Sequence, residues 1–164
     1  GYINVESEPG KGATFRIYLP LVKSTVEEEK PTSLPAPACL NGTETILLAE
    51  YDEDVRNLTK AHLEEAGYKV MATVDGYDTI NKFMENKDTI HLLLLDVIMP
   101  AKNGRETYEE IRKIRTDIKA LFMSCFSKSV IHQKTILEEG LNFISKPFSQ
   151  TALLKKVREI LDNE

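Results

Sequence analysis

The sequence predicts an α/β fold, a three-layer, doubly wound, five-stranded parallel sheet preceded by a β-hairpin and a linker. Three observations carry this. From about Glu44 onward, short apolar runs alternate five times with amphipathic segments, the βα repeat whose right-handed crossovers place helices on both faces of a parallel sheet. Runs such as ILLAE and LLLLD are apolar at successive positions, so both faces of those strands are meant for burial. Polar residues end the runs, at the carboxyl ends of the strands, where ligands sit in open α/β sheets.

The elements follow in order. Residues 1–22, GYINVESEPGKGATFRIYLPLV, alternate β-branched or aromatic with polar residues on both sides of SEPGKGA and read as two strands joined by a glycine-rich turn. Residues 23–43 combine the acidic run Glu27 to Glu29 with Pro31, Pro35 and Pro37, which suits a semi-extended linker. Residues 44–164 hold the repeat. TILLAE is followed by a helix through Val55, Leu58 and Ala61 ending near Gly67, and VMATV by a helix through Ile80, Phe83 and Met84. HLLLLD leads to a helix through Tyr108, Ile111 and Ile114, and ALFMS to one around Ile131, Ile136 and Leu137 ending at Gly140. NFIS then precedes a last helix through Leu153, Leu154, Val157, Ile160 and Leu161.

Composition narrows the function. The 164 residues are 29% charged with net charge -5 and no basic block, so a nucleic-acid backbone would be repelled and no direct contact with it is expected. Two cysteines, Cys39 and Cys125, argue against a disulfide framework and fit a reducing, cytoplasmic location. No apolar run approaches the ~20 residues of a membrane span, so no membrane contact is expected of these residues. Gly1 reads as a cut inside a longer protein.

The chemistry gathers at the strand ends: Glu50 with Tyr51, Asp52 and Glu53 after the first, Asp96 after the third, Ser124 after the fourth, Lys146 after the fifth. Any one of these alone would be a helix cap or a surface charge. Converging carboxylates need a cation, and hard oxygen ligands suit Mg²⁺. A lysine and a hydroxyl beside them complete a cradle for a tetrahedral anion, with Asp96 as nucleophile, so the set predicts phosphoryl transfer to aspartate.

TILLAEYDEDVRNLTKAHLEEAGY, LLLLDVIMPAKNG, ALFMS and NFISKPF resemble the response-regulator receiver domain over 44–164. The resemblance implies a flavodoxin-like strand order, 2-1-3-4-5, with Asp96 as phosphoacceptor. It further implies that Glu50, Asp96 and the Ile98 backbone carbonyl hold Mg²⁺, and that Ser124 and Lys146 contact the phosphoryl oxygens. Ser124 and Phe143 would be the switch pair, and the fourth helix, fifth strand and fifth helix the output face. The phosphodonor would be a phosphohistidine on a kinase or phosphotransfer domain, and the reader a downstream signalling protein. One position departs from the pattern: where the family carries a second acid, Tyr51 follows Glu50. A phenol, neutral at pH 7, is a poor metal ligand, so weak Mg²⁺ binding is expected, with Asp52 as a candidate replacement. The rival reading is a pseudo-receiver, an interaction module whose site has decayed. A hydrolase of the aspartate-nucleophile phosphatase type is disfavoured, since Val97 and Ile98 follow Asp96 where it needs a second acid.

YINVESEPGKGATFRIYLP, in which two strands flank Gly10-Lys11-Gly12, resembles the tail of the ATP-binding domain of histidine kinases. Hairpin, linker and receiver in that order imply the C-terminal end of a hybrid histidine kinase. The hairpin itself binds no nucleotide, and its exposed edge invites pairing with a second copy, a homodimer. His62 suits a packing or surface role better than phosphorylation, His91 and His132 lack metal-spaced partners, and Cys125 reads as a packing thiol.

Overall fold

The computed structural model describes residues 1–19, 40–125 and 141–163. The chain divides into two compact units, one containing the hairpin and one containing the sheet.

In the first unit β1 (Tyr2–Glu8) and β2 (Gly12–Tyr18) pair antiparallel from Tyr2↔Tyr18 to Glu8↔Gly12. Lys11 N–H donates to the Glu8 carbonyl at 3.0 Å to close the turn. Because side chains alternate, the two faces differ. One carries the stacked Tyr2 and Tyr18 rings, 4.4 Å apart, and the Arg16–Glu6 ion pair. The other carries Ile3, Val5, Phe15 and Ile17, all exposed.

The second unit runs β3 (Thr45–Ala49), α1 (Glu53–Glu65), β4 (Lys69–Thr73), α2 (Gly76–Asn86), β5 (Ile90–Asp96), α3 (Gly104–Ile114), β6 (Lys119–Ser124), β7 (Asn142–Ser145) and α4 (Gln150–Asp162). All neighbouring strands pair parallel in the order β4-β3-β5-β6-β7, which is 2-1-3-4-5 counted within the sheet. The strand period of two sends alternate residues to opposite layers. Leu47, Leu93, Leu95 and Phe122 pack with Phe83, Tyr108 and Ile111 in one core. Ile46, Leu48, Leu92, Leu94 and Met123 pack with Leu63, Leu153 and Val157 in the other. Each such side chain contributes roughly 1.5–3 kcal/mol on burial, so the sequence's continuous apolar runs hold both layers together.

Each described helix starts on a side-chain cap: Asp52 accepts from Val55 N–H at 3.0 Å, Asp75 from Asp78 at 2.9 Å, Asn103 from Glu106 at 2.9 Å and Ser149 from Ala152 at 3.2 Å. Each satisfies an amide the helix itself cannot, worth about 1 kcal/mol.

The helix stripes differ from the sequence reading. α1 buries Thr59 and Leu63, while Leu58 is 59% exposed and Ala61 faces solvent. A step of three residues turns the face back by ~60° and a step of four advances it by ~40°, so Val55, Leu58, Ala61 drifts away from the core where Val55, Thr59, Leu63 stays. Ile114 is exposed for the same reason, and Met84 because it lies one residue, ~100°, round α2 from the buried Phe83. The helix expected around Ile131, Ile136 and Leu137 lies outside the described residues, so α4 is the fifth helix of the sequence reading.

Packing of the sheet unit is already established at Leu40. Gly42 N–H donates to the Ala66 carbonyl at 3.0 Å, Lys69 N–H to the Glu44 carbonyl at 3.0 Å and the Tyr68 hydroxyl to the Leu40 carbonyl at 3.1 Å. Arg158 of α4 pairs with Glu44 at 2.7 Å and also with Asp162. Gly67 makes the close approach: it sits at φ +93°, and a Cβ there would lie 2.7 Å from the Gly42 carbonyl oxygen.

Candidate functional site

The parallel sheet delivers the chemistry by its register. Glu50 follows β3 and is fixed by its N–H donating to Thr73 of β4 at 3.2 Å. Asp96 ends β5, opposite Met123 of β6, which places Ser124 one position further along the neighbouring strand. Lys146 follows β7, its N–H donating to the Ser124 carbonyl at 2.7 Å, and its bond to Pro147 is cis. α3 begins hard against this rim, since a Cβ on Gly104 would fall 2.2 Å from the Asp96 carbonyl oxygen.

The side chains meet. Lys146 Nζ donates to Asp96 Oδ2 at 3.0 Å and also pairs with Glu50 Oε2. Glu50, 1% exposed, accepts the Asp52 N–H on Oε1 at 3.2 Å, and Asp96 accepts the Ile98 N–H on Oδ1 at 3.2 Å. Burial pushes the Glu50 carboxyl up, Asp96's charge adding to it and Lys146 opposing it, so it sits above the ordinary carboxylate range. Burial pulls the Lys146 ammonium down, but Glu50 and Asp96 outweigh this and leave it above its ordinary value. The result is one cation held between two largely buried carboxylates.

The structure therefore brings Glu50, Asp96 and Lys146 together, and leaves Ser124 buried at the end of the adjacent strand. Phe143 on β7 is half-buried and packed against the core that contains Tyr108 and Phe122. Ile98 is exposed beside Asp96. Asp52, the candidate replacement for the missing acid, has its Oδ1 on the orphan amide of Val55 and so caps α1. Among the described residues no group of three or more His, Cys, Asp or Glu is placed to hold a metal. Tyr51 is exposed, and its carbonyl and that of Glu50 accept from Arg56 Nη1 at 3.0 and 2.9 Å.

Arg56 was missed by the sequence reading. It braces the loop that carries Glu50, and the signal for it was its place one turn into α1, within reach of the carbonyls behind it. His91 is structural, its Nδ1 accepting the Thr45 N–H at 3.1 Å, and the imidazole of His62 lies half-buried on α1. Cys125 is exposed rather than packed, since β6 ends one residue before it. His132 and Cys39 lie outside the described residues.

The chain is similar to known proteins. Over 173 aligned residues, covering all of this chain, it is 30% identical to the sensor kinase CckA of Brucella abortus, of which it spans 18%. It is 36% identical over 116 residues to the regulatory protein VanRB of Enterococcus faecalis, covering 71% of this chain and 51% of that one. A crystal structure of the receiver domain from the hybrid histidine kinase CckA superimposes with a TM-score of 0.60 at 29% identity, covering 71% of this chain and 98% of that domain. The chain thus spans about half or less of the length of these two curated relatives. The sheet has the flavodoxin-like fold of receiver structures. Residues 46–158 match the family described as the response regulator receiver domain, and the chain belongs to that family.

Proposed function

We propose that the sheet unit is a phosphoacceptor switch in a phosphorelay, with Asp96 as the acceptor. The observation that carries this is Lys146 Nζ lying 3.0 Å from Asp96 Oδ2, with Glu50 on its other side. In the step, an Asp96 carboxylate oxygen attacks phosphorus, the phosphorus–nitrogen bond of a phosphohistidine breaks and the imidazole nitrogen keeps the electron pair. Lys146 then holds the phosphoryl oxygens, and the Ile98 amide steadies the other carboxylate oxygen in place. Ser124 contacts the new group, and Phe143 reports the change toward a surface read by a downstream protein.

Glu50, Asp96 and the Ile98 carbonyl fit a loosely held, largely water-ligated Mg²⁺, in keeping with Mg²⁺ sites that use one or two carboxylates. Bound there, the ion would offset the charge that gathers on the phosphoryl group. Tyr51 supplies no ligand charge, so the affinity is low.

The matched length of the CckA sensor kinase, hairpin included, supports reading residues 1–22 as the last strands of a kinase ATP-binding domain, 23–43 as a linker and 44–164 as the receiver of a hybrid histidine kinase. We assign the unit to the cytoplasm on its cysteine usage. Among the described residues no helix is long and apolar enough to cross a membrane.

The test is intact mass after incubation with acetyl phosphate, with and without Mg²⁺, beside Asp96→Asn. One phosphoryl adduct, absent from the variant, is expected. No adduct, or an equal adduct on Asp96→Asn, overturns the assignment.

A further inference from the structure

The sheet has a notch at the end opposite Asp96. β6 begins at Lys119, but β7 joins it only from Asn142, level with Leu121, so Lys119 and Ala120 have no strand beside them on that flank. The notch opens into a cavity of about 290 Å³ among α3, β6, β7 and the end of α4. That is the small end of the ~300–1,000 Å³ range that ligands occupy. Its walls are apolar: Tyr108, Ile118, Ala120, Leu141 and Ile160. They come from both core layers, because the cavity lies where the two meet at the corner of the sheet. Three polar side chains complete it. Lys119 Nζ donates to the carbonyls of Leu161 at 3.0 Å and Asn163 at 2.6 Å, and is paired with no carboxylate among the described residues. An ammonium has three N–H bonds to give, so one is left. The side-chain amides of Asn142 and Asn163, on either side of it, make no hydrogen bond among the described residues.

We propose that this cavity is a binding site for a small carboxylate with a compact apolar body, an aryl acid being the simplest case. Each part of the cavity answers to a part of that ligand. The two carbonyls orient the Lys119 ammonium without cancelling its charge, and a carboxylate on the remaining N–H makes a charge-assisted bond, about twice as strong as a neutral one. The two amides supply further donors to the same group. The apolar walls take the ring out of water. An inorganic anion would leave those walls uncovered, and a neutral ring would leave the charge unmatched. From Lys119 to Ser124 is five steps of strand, roughly 16 Å at the strand rise, so the ligand touches neither Asp96 nor Lys146. It ties the start of β7, one residue before Phe143, to the last turn of α4, and because it binds the folded chain alone it raises the melting temperature by mass action.

The experiment titrates the isotope-labelled chain at pH 7 with three probes: benzoate, benzamide, which has the ring without the charge, and acetate, which has the charge without the ring. Benzoate is expected to shift the amide resonances of Lys119, Ala120, Leu141 and Asn142 with a dissociation constant of about 1 mM. Benzamide binds at the same place about tenfold more weakly, and acetate leaves those resonances unmoved. Lys119→Met keeps the stem and deletes the charge; it brings benzoate down to the affinity of benzamide and leaves benzamide unchanged. Ala120→Leu fills part of the space and weakens both ring probes by about tenfold or more. The comparison of probes on the wild-type chain needs neither variant, so it decides even where one of them misfolds. No shifts with benzoate, equal affinities for benzoate and benzamide, equal shifts with acetate, shifts centred on the Asp96 rim, or wild-type affinity in both variants overturn the inference. Acetyl-phosphate labelling of Asp96 is independent of it: its failure would overturn the phosphoacceptor reading and leave the benzoate shifts intact.

Discussion

Replacing Lys146 by methionine keeps the stem and deletes the charge, which leaves Glu50 1% exposed and unpaired beside Asp96. Breaking a buried pair in this way costs about 3–5 kcal/mol. Glu50 has an escape that limits its share. It can take up a proton, and from the ordinary value of 4.5 that costs about 1.36 kcal/mol per pH unit, so roughly 3.4 kcal/mol at pH 7 and roughly 0.7 at pH 5. The sign follows from proton linkage. Burial raises this carboxyl in the folded state, so between its unfolded and folded values the native chain binds more protons, and stability falls as pH rises through that window. We therefore expect Lys146→Met to lose about 3 kcal/mol at pH 7 and most of that loss to vanish by pH 5. Adding Glu50→Gln should restore most of it at both. Urea unfolding followed by circular dichroism across pH 5–7 measures all three proteins. A deficit that does not change with pH, or one that Glu50→Gln fails to relieve, would show that the lysine is not held there by a buried carboxylate.

Three further outcomes are expected. Tyr51→Asp places a second acid beside Glu50 and should tighten Mg²⁺ by about tenfold or more, about 1.4 kcal/mol, in a calorimetric titration; equal affinities would show that the phenol's lack of charge has been compensated. Arg158→Ala deletes the partner of Glu44 and Asp162 and should cost about 1–2 kcal/mol, with Glu44→Ala adding little on top of it, a double-mutant cycle that additivity would contradict. Asn103→Ala removes the side-chain acceptor of the α3 capping box while leaving the backbone amide of residue 103 to donate to Glu106, and should cost about 1 kcal/mol in thermal melts, with Glu106→Ala costing less.

How far the sequence could be read depended on how local the determinant was. Doubly apolar runs announce a covered parallel strand, so LLLLD at β5 and TILLA at β3 were legible, and the strand ends followed from them. Lys146 and Asp96, 50 residues apart, could be assigned to one rim because parallel strands all end on the same side. The helix faces were less legible. Thr59 is buried with no bonding hint from its type, and Leu58 is exposed despite being apolar, since the packing of α1 against the sheet decides its rotation. Asp52 was ambiguous for a related reason: an acid after a strand serves a metal or a helix cap equally well, and only the backbone path into α1 brings its Oδ1 onto the Val55 amide. The direct Lys146 bridge to Glu50 was not legible, and the Arg56 brace was signalled only by its place one turn into α1, because the reach of a long cationic side chain depends on the backbone placed around it.

The small girdle formed by Leu40, Gly42, Glu44, Tyr68 and Arg158 bears on where a scissor should fall. A recombinant receiver trimmed to the span of family similarity, 46–158, would amputate both carboxylates that neutralise Arg158, one upstream at Glu44 and one downstream at Asp162. It would also strip the carbonyl acceptor from the Tyr68 hydroxyl. Such a truncated domain would keep Glu50, Asp96, Ser124 and Lys146 and still be the more fragile protein, whereas one beginning at or before Leu40 and running through Asp162 keeps its hem sewn.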